Sequence, residues 1–267
     1  MMATLGFLVL GLAVGAFGTI VGAGGGFILL PILLFAFPHE QASVLAGISL
    51  AVVCVNAASG SFAYARLGRI DFRSGIVFAL AGLPGAALGA ALTARVDRHL
   101  FDSLLGVFLI LGAFALALRP EGFRRHPGGA RERVLVERDG TVHRYAPRLL
   151  LGALLSVVVG FVSTMLGIGG GILHVPAMVA LLGFPIHVAT ATSHFVLAIL
   201  ALVGVLSHLA DGSLRAGLGR TLPLAAGALV GAQAGARIST RIHGRWILRS
   251  LSLALALVGL RLIVSAG

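Results

Sequence analysis

The chain has 267 residues, 58% hydrophobic and 11% charged, with a mean hydropathy of +1.04. Soluble domains carry about 25% charged residues, so this composition excludes a water-soluble globule and points to a polytopic helical membrane protein. The formal charge of +11 is carried by arginine alone. On a soluble protein it would suggest nucleic acid, but here the excess of positive charge in cytoplasmic loops accounts for it.

Residues 3–37 and 41–65 contain no Asp, Glu, Lys or Arg, and a membrane span needs only about 20 apolar residues. The opening MMATLGFLVLGLAVGAF lacks the basic n-region of a signal peptide and has a counterpart later in the chain, so it reads as a mature span. The pattern predicts helical segments over 3–22, 26–37, 43–65, 74–94 and 101–118. A second series follows over 148–167, 171–183, 188–209, 221–240 and 248–264. Segments of 12 or 13 residues cover about 18–20 Å and fall short of a core about 30 Å thick. Segments 26–37 and 171–183 are therefore expected to be half-helices or re-entrant, although their length does not decide between the two.

The halves repeat each other. At a spacing of 145, Thr19, Gly22, Gly24, Gly25, Gly26 and Pro31 align with Thr164, Gly167, Gly169, Gly170, Gly171 and Pro176. At 146, Gly85, Gly89 and Arg95 align with Gly231, Gly235 and Arg241, and Ser49 aligns with Ser193 at 144. The chain thus divides into a first transmembrane repeat (1–118), a basic linker (119–147) and a second repeat (148–267). Around the linker, Arg119 to Arg148 hold eight arginines against four acids, which places it in the cytoplasm. Within it, Asp139-Gly140 between two alternating runs signals a short hairpin. A lone hairpin is marginal in water, so it reads as a surface feature.

With the linker inside, the inside loops hold fourteen arginines and the outside loops four. An odd number of net crossings per half then sets the halves in opposite orientations. The expected fold is an all-α polytopic membrane protein of two inverted repeats, with roughly 8–10 membrane segments. Inverted repeats are the architecture of many secondary transporters, which bind substrate near the midplane at discontinuous helices.

Each glycine run precedes a short helix, whose first N–H groups are unpaired and carry partial positive charge. Such a start binds anions without a cationic side chain, and glycine lets a ligand approach the backbone. Gly24, Gly25, Gly26, Gly169, Gly170 and Gly171 are therefore candidate substrate contacts, with close helix packing as the plain alternative. A nucleotide loop does not fit. GAGGGF has phenylalanine where the dinucleotide fingerprint needs its third glycine, and the chain has no lysine.

All nine acids fall in loops or at helix ends. Intramembrane carboxylates mark cation and proton pathways, so their absence argues for an anionic or neutral substrate. The polar groups at depth are uncharged. Ser49, Asn56 and Ser59 share roughly one helix face, and TATSHF supplies Thr190, Thr192, Ser193 and His194. Of these, Ser49, Asn56, Thr192, Ser193 and His194 are candidate donors, and hydrogen bonding between helices is their ordinary alternative. No metal site is expected: His194 and His208 lie about 21 Å apart along one helix, and His174 and His194 lack a third ligand. Cys54 reads as a small buried hydrophobe.

Two halves with a G-x-G-G-G run followed by a proline, then AGISL or ATSHF, resemble the TauE/SafE family of membrane permeases, from about Gly6 to Leu262. The resemblance implies movement of sulfur-containing anions such as sulfite, sulfoacetate or related sulfonates across the cytoplasmic membrane. Gly47-Ile48-Ser49 departs from the Thr-Ser pair seen at Thr192-Ser193. The resulting expectation is a secondary transporter of a small anion, without cofactor, metal, enzymatic activity or nucleic-acid partner. The alternatives are an anion channel, or an assembly protein docking a partner through its linker. The lipid bilayer is the surrounding partner, a homo-oligomer is compatible with the sequence, and the coupling ion is unassigned, a proton on His194 being one option.

Overall fold

The computed structural model describes residues 2–93, 95–117, 132–239, 249, 252–253 and 255–261. The parts of the linker at 119–131 and of the predicted loop at 241–248 lie outside the described residues, while 252–253 and 255–261 are helical. In chain order the elements are α1 (Met2–Val21), α2 (Gly26–Ala36), α3 (Ala42–Leu67), α4 (Phe72–Thr93) and α5 (Arg98–Ala117). Then come β1 (Arg133–Val136), β2 (Val142–Tyr145), α6 (Leu149–Met165), α7 (Gly171–Ala180), α8 (Ile186–Ala210) and α9 (Ser213–Ser239). Four of these helices, α1, α3, α4 and α8, are long and apolar enough to cross a membrane.

The short helices fold back along the long helices before them. Phe37, just past α2, stacks on Phe7 near the start of α1 with centroids 6.5 Å apart. Likewise His174 of α7 bonds Ser156 of α6 at 2.9 Å. Each short segment therefore runs back from its glycine turn alongside the long helix before it.

The central pair is α3 and α8, with 78% and 67% of their apolar stretches buried, against 33% for α1. Side chains such as Leu5, Leu8, Leu88, Leu154 and Leu229 are exposed on the outer helices, the face that lipid covers in a bilayer. Small residues set the helix spacing. Gly11 and Gly15 lie on the backbone of Leu224 and Ala228, and Gly231 and Gly235 on that of Leu12 and Ala16, so α1 and α9 run in the same sense. Gly85 and Gly89 pack in the same way on Val157 and Phe161, setting α4 alongside α6. Gly60 faces His194 while Gly204 faces Leu50, so α3 and α8 run in opposite senses. Ser59 bonds the Leu229 carbonyl of α9 at 2.8 Å and Gly217 faces Ile48, so α9 follows α3. Gly75 and Gly82 face Phe195 and Leu200, so α4 follows α8. One set of helices, α1, α3 and α9, thus runs one way and another, α4, α6 and α8, the other.

Several boundaries differ from the sequence reading, among them the α5 start at Arg98 and the α7 end at Ala180, and two have a visible cause. The helix predicted from 221 begins at Ser213: Gly212 turns the chain at φ 83°, and the Asp211 carboxylate accepts from the Ser213 amide at 2.8 Å. Arg215 and Arg220 had made this turn look like loop. Arg220 instead bonds Glu40 at 2.7 Å and lies over the Phe37 ring, its stem on apolar surface and its charge at the rim. The α4 start also moves, to Phe72, because Asp71 caps it by accepting from the Ser74 amide at 3.0 Å.

Strands β1 and β2 pair antiparallel, Arg133 opposite Tyr145 and Val136 opposite Val142. The sequence reading made this stretch a surface feature, and in the structure it is pinned to the bundle. Arg69 pairs with Glu137 at 2.5 Å, both side chains almost wholly buried, and His143 bonds Glu137 at 2.7 Å. Arg133 bonds Asp71 at 2.7 Å, the Tyr145 hydroxyl reaches Asp71 at 3.0 Å, and the Arg138 amide bonds the Leu67 carbonyl. An isolated two-stranded hairpin lacks a core; here Leu135, Tyr145 and Phe184 provide one.

Candidate functional site

The two glycine turns meet at the centre of the molecule. Glycines 22, 24 and 25 in one turn, and 167 and 169 in the other, have φ between 66° and 83°, a region L side chains rarely occupy. A Cβ on Gly26 would stand 2.7 Å from the Ile168 carbonyl carbon, and one on Gly171 would run into the backbone of Gly22 and Ala23. The contacts are reciprocal, since position 23 of the first repeat corresponds to 168 of the second. The space between the two runs is filled. Val53 and Leu197, at equivalent places on α3 and α8, stand against both Gly24 and Gly169, with Leu50, Ala57 and Ala201 completing the apolar centre.

Backbone bonds in the first turn run to the Gly24 amide and resume at Ile28. The amides of Gly25, Gly26 and Phe27 have no acceptor among the described residues, nor do those of Gly169, Gly170, Gly171 and Ile172. Neither short helix has a side-chain cap. These amides supply the partial positive charge of a helix start.

Beside the first turn lies a polar cluster in which Thr19, Asn56 and His194 are fully buried and Tyr64 is 1% exposed. The Thr19 hydroxyl donates to Asn56 Oδ1 at 3.2 Å, and His194 Nε2 lies 3.3 Å from Thr19 Oγ1. The Tyr64 hydroxyl donates to the Thr19 carbonyl at 2.8 Å, and its ring meets His194 edge-on at 5.8 Å. The Ser193 hydroxyl donates to the Gly22 carbonyl at 3.2 Å, tying α8 to the turn. Asn56 Nδ2, His194 Nδ1, Ser49 Oγ and Thr190 Oγ1 are buried without a partner among the described residues. Buried polar atoms are almost always satisfied in native folds; Asn56 Nδ2, His194 Nδ1 and Thr190 Oγ1 lie by the first turn, and Ser49 Oγ lies on α3.

The structure thus gathers Gly24, Gly25, Gly26, Asn56, Ser193 and His194 of the sequence candidates on the first turn. Gly169, Gly170 and Gly171 form the facing turn, and Ser49 is buried on α3. Thr192 lies elsewhere, its hydroxyl accepting from the Asp71 amide at 3.0 Å, and Ser59 faces α9 through Gln233. His174 bonds Ser156 and packs on Phe78, away from His194. No group of His, Cys, Asp and Glu suited to a metal ion occurs among the described residues.

Sequence reasoning missed Thr19 and Tyr64. Thr19 was visible as a repeat position, but its contact with Asn56 joins residues 37 apart in sequence. Asp71 was also missed. Burial alone would raise its carboxyl, but the Ser74 amide and hydroxyl, the Tyr145 hydroxyl and Arg133 together hold it below the ordinary value of 3.8. It therefore stays charged and joins the hairpin to α4 and, through its amide, to α8.

Long apolar helices, with two short helices folded back on them and a buried polar centre, fit a multi-pass membrane protein. The family model for the sulfite exporter TauE/SafE matches residues 7–262, and the chain belongs to this family of membrane transporters. It is 32% identical over 265 residues to the probable membrane transporter protein YunE of Bacillus subtilis, covering 96% of each chain. A probable membrane transporter protein of Methanocaldococcus jannaschii is 28% identical, over 76% of this chain and 71% of that one. One from Xylella fastidiosa is 30% identical, over 71% and 67%. No solved structure matches.

Proposed function

We propose that the protein is a secondary transporter of a small oxyanion, sulfite or an organosulfonate, in the cytoplasmic membrane. It works by alternating access between two inverted repeats. The observation that carries this reading is the pairing of uncapped helix starts with unsatisfied buried donors, in a core where no carboxylate bonds any of these groups among the described residues. Equivalent helices run in opposite senses, α3 against α8 and the α1–α9 pair against the α6–α4 pair, which supports the inverted arrangement. The family's printed description supports sulfite.

The anion would lie at the first turn, held by Gly25 and Gly26 amides, Asn56, Ser193 and His194, with the 169–171 turn and Ser49 opposite. Val53 and Leu197 close the centre in this state and would part to admit it. The hairpin, bonded to the α3–α4 loop and packed on Phe184, would have to shift when that side opens.

Thermal unfolding of the detergent-solubilised protein against anions at matched ionic strength tests the site. A ligand that binds the folded form raises its stability by mass action. Sulfite or a sulfonate, and not chloride or acetate, should raise the unfolding temperature, and Gly25→Val or Gly170→Val should abolish the shift. Equal shifts with every anion would contradict a selective site.

A further inference from the structure

The alternation of the hairpin is inverted. Arg133, Glu137, His143 and Tyr145 turn towards the bundle, where each has a polar partner. The register sets Val136 opposite Val142 and Val134 opposite Arg144, and cross-strand partners share one face of a sheet. That face is the outward one, and its three valines are each about half exposed. A ribbon whose outer face meets water carries its polar residues there. This hairpin holds most of its polar residues inside, which fits an outer face with an apolar neighbour.

Beside this face a cleft of about 270 Å³ runs between Asp71–Arg73, at the start of α4, and Arg133–Leu135 of β1. Phe72 and Arg73 are exposed, and Phe72 begins a stripe that continues through Ile76 and Leu80 on the outer side of α4. Residues four apart share a helix face, so the cleft opens at the end of the surface that lipid covers. The Asp71 carboxylate is taken up by Ser74, Arg133 and Tyr145. Among the described residues Arg73 makes no ion pair, and neither does Arg144 on the valine face. Of the acids on the hairpin's outer side, Glu132 precedes the strand, and Asp139 at the turn accepts from the Thr141 amide at 2.9 Å. The cleft therefore offers an unpaired guanidinium at the end of an apolar stripe, flanked by exposed valines.

We propose that this cleft binds the headgroup of an anionic phospholipid, whose phosphate meets Arg73 while its chains lie along Phe72, Ile76 and Leu80. The valine face, with Arg144, meets the interfacial layer around it. Lipid is the occupant because the cleft continues the outer surface of α4, and an anionic lipid because the unpaired charge there is positive. A soluble anion would leave the stripe and the valines unused. A two-fold contact between copies through the valine face would set Arg144 against its own copy. The site lies apart from the central glycine turns, and it depends on the membrane placement, not on the transport reading.

The full chain in neutral detergent micelles tests this, titrated with a short-chain phosphatidylglycerol, the matching phosphatidylcholine, or soluble glycerol phosphate. Amide exchange over 133–145 is the readout. Phosphatidylglycerol should slow exchange saturably, because a bound headgroup bridges α4 and β1, and the other two should not. One arginine at the membrane surface is worth about fivefold in lipid affinity, so Arg73→Gln should raise the half-saturating lipid fraction about fivefold. Val134→Ser should weaken binding as well. Both side chains are exposed, so neither change disturbs the core. Arg66→Gln, in the last turn of α3, is the control for diffuse charge and should bind as the wild type does. No slowing with phosphatidylglycerol, an equal response to phosphatidylcholine or glycerol phosphate, wild-type binding by Arg73→Gln, or an equal loss in Arg66→Gln overturns the inference. So does protection that follows protein concentration instead of lipid, which would assign the face to a second copy.

Discussion

Gly25→Ala tests how the first glycine turn packs against α1. Gly25 has φ 79° and its added Cβ would stand 2.6 Å from both the carbonyl oxygen and a methyl of Val14. The left-handed conformation costs an L residue about 1–2 kcal/mol. Forcing a methyl into packed backbone adds about 1–3 kcal/mol, for a total of about 2–5 kcal/mol. Gly212 is the control: its φ is 83° and nothing lies within 4 Å of its Cβ, so Gly212→Ala should cost only about 1–2 kcal/mol. Gly6, inside α1 with open space around it, gains helix propensity, and Gly6→Ala should stabilise by up to about 1 kcal/mol. Unfolding titrations in mixed micelles give the three free-energy changes. If Gly25→Ala costs no more than Gly212→Ala, the turn does not pack on α1 as described.

The docked hairpin gives two more expectations. Glu137→Ala leaves Arg69 buried without its partner, and breaking a buried pair costs about 3–5 kcal/mol; amide exchange over 133–145 should quicken roughly hundredfold or more, and unchanged exchange would mean that the pair does not hold the hairpin. The Asp71 carboxyl is held below its ordinary value, so its contribution is complete above that value, 3.8, and is lost as pH falls through the lower folded one. Protection of the hairpin should therefore fall on acidification, and Asp71→Asn should remove that dependence. A third concerns helix spacing: Gly85→Val drives a side chain into the Val157 carbonyl, and should lower the unfolding temperature more than Gly219→Val, where nothing lies within 4 Å.

Much of the bundle was legible because membrane helices announce themselves through apolar length. The α3 boundaries predicted at 43–65 fall within two residues of the observed Ala42–Leu67. The α9 start failed for the same reason: Arg215 and Arg220 break the apolar run, and only the Glu40 and Phe37 partners explain their place in a helix. The glycine turns were visible as a repeat, but not that they touch, since contact between 26 and 168 depends on tertiary packing. Asn56 and His194 stood out as polar residues at depth. Their shared partner, Thr19, needed the fold, and the hairpin's attachment needed Asp71 and Glu137 to meet arginines far along the chain.

The most direct test of the account is counterflow of radiolabelled sulfite in proteoliposomes. Vesicles preloaded with unlabelled sulfite should take up label faster than empty ones, saturably and above the protein-free baseline, and Asn56→Leu should remove most of that difference. Uptake no greater than in protein-free vesicles, or linear flux with no acceleration by preloading, would contradict a sulfite transporter working by alternating access.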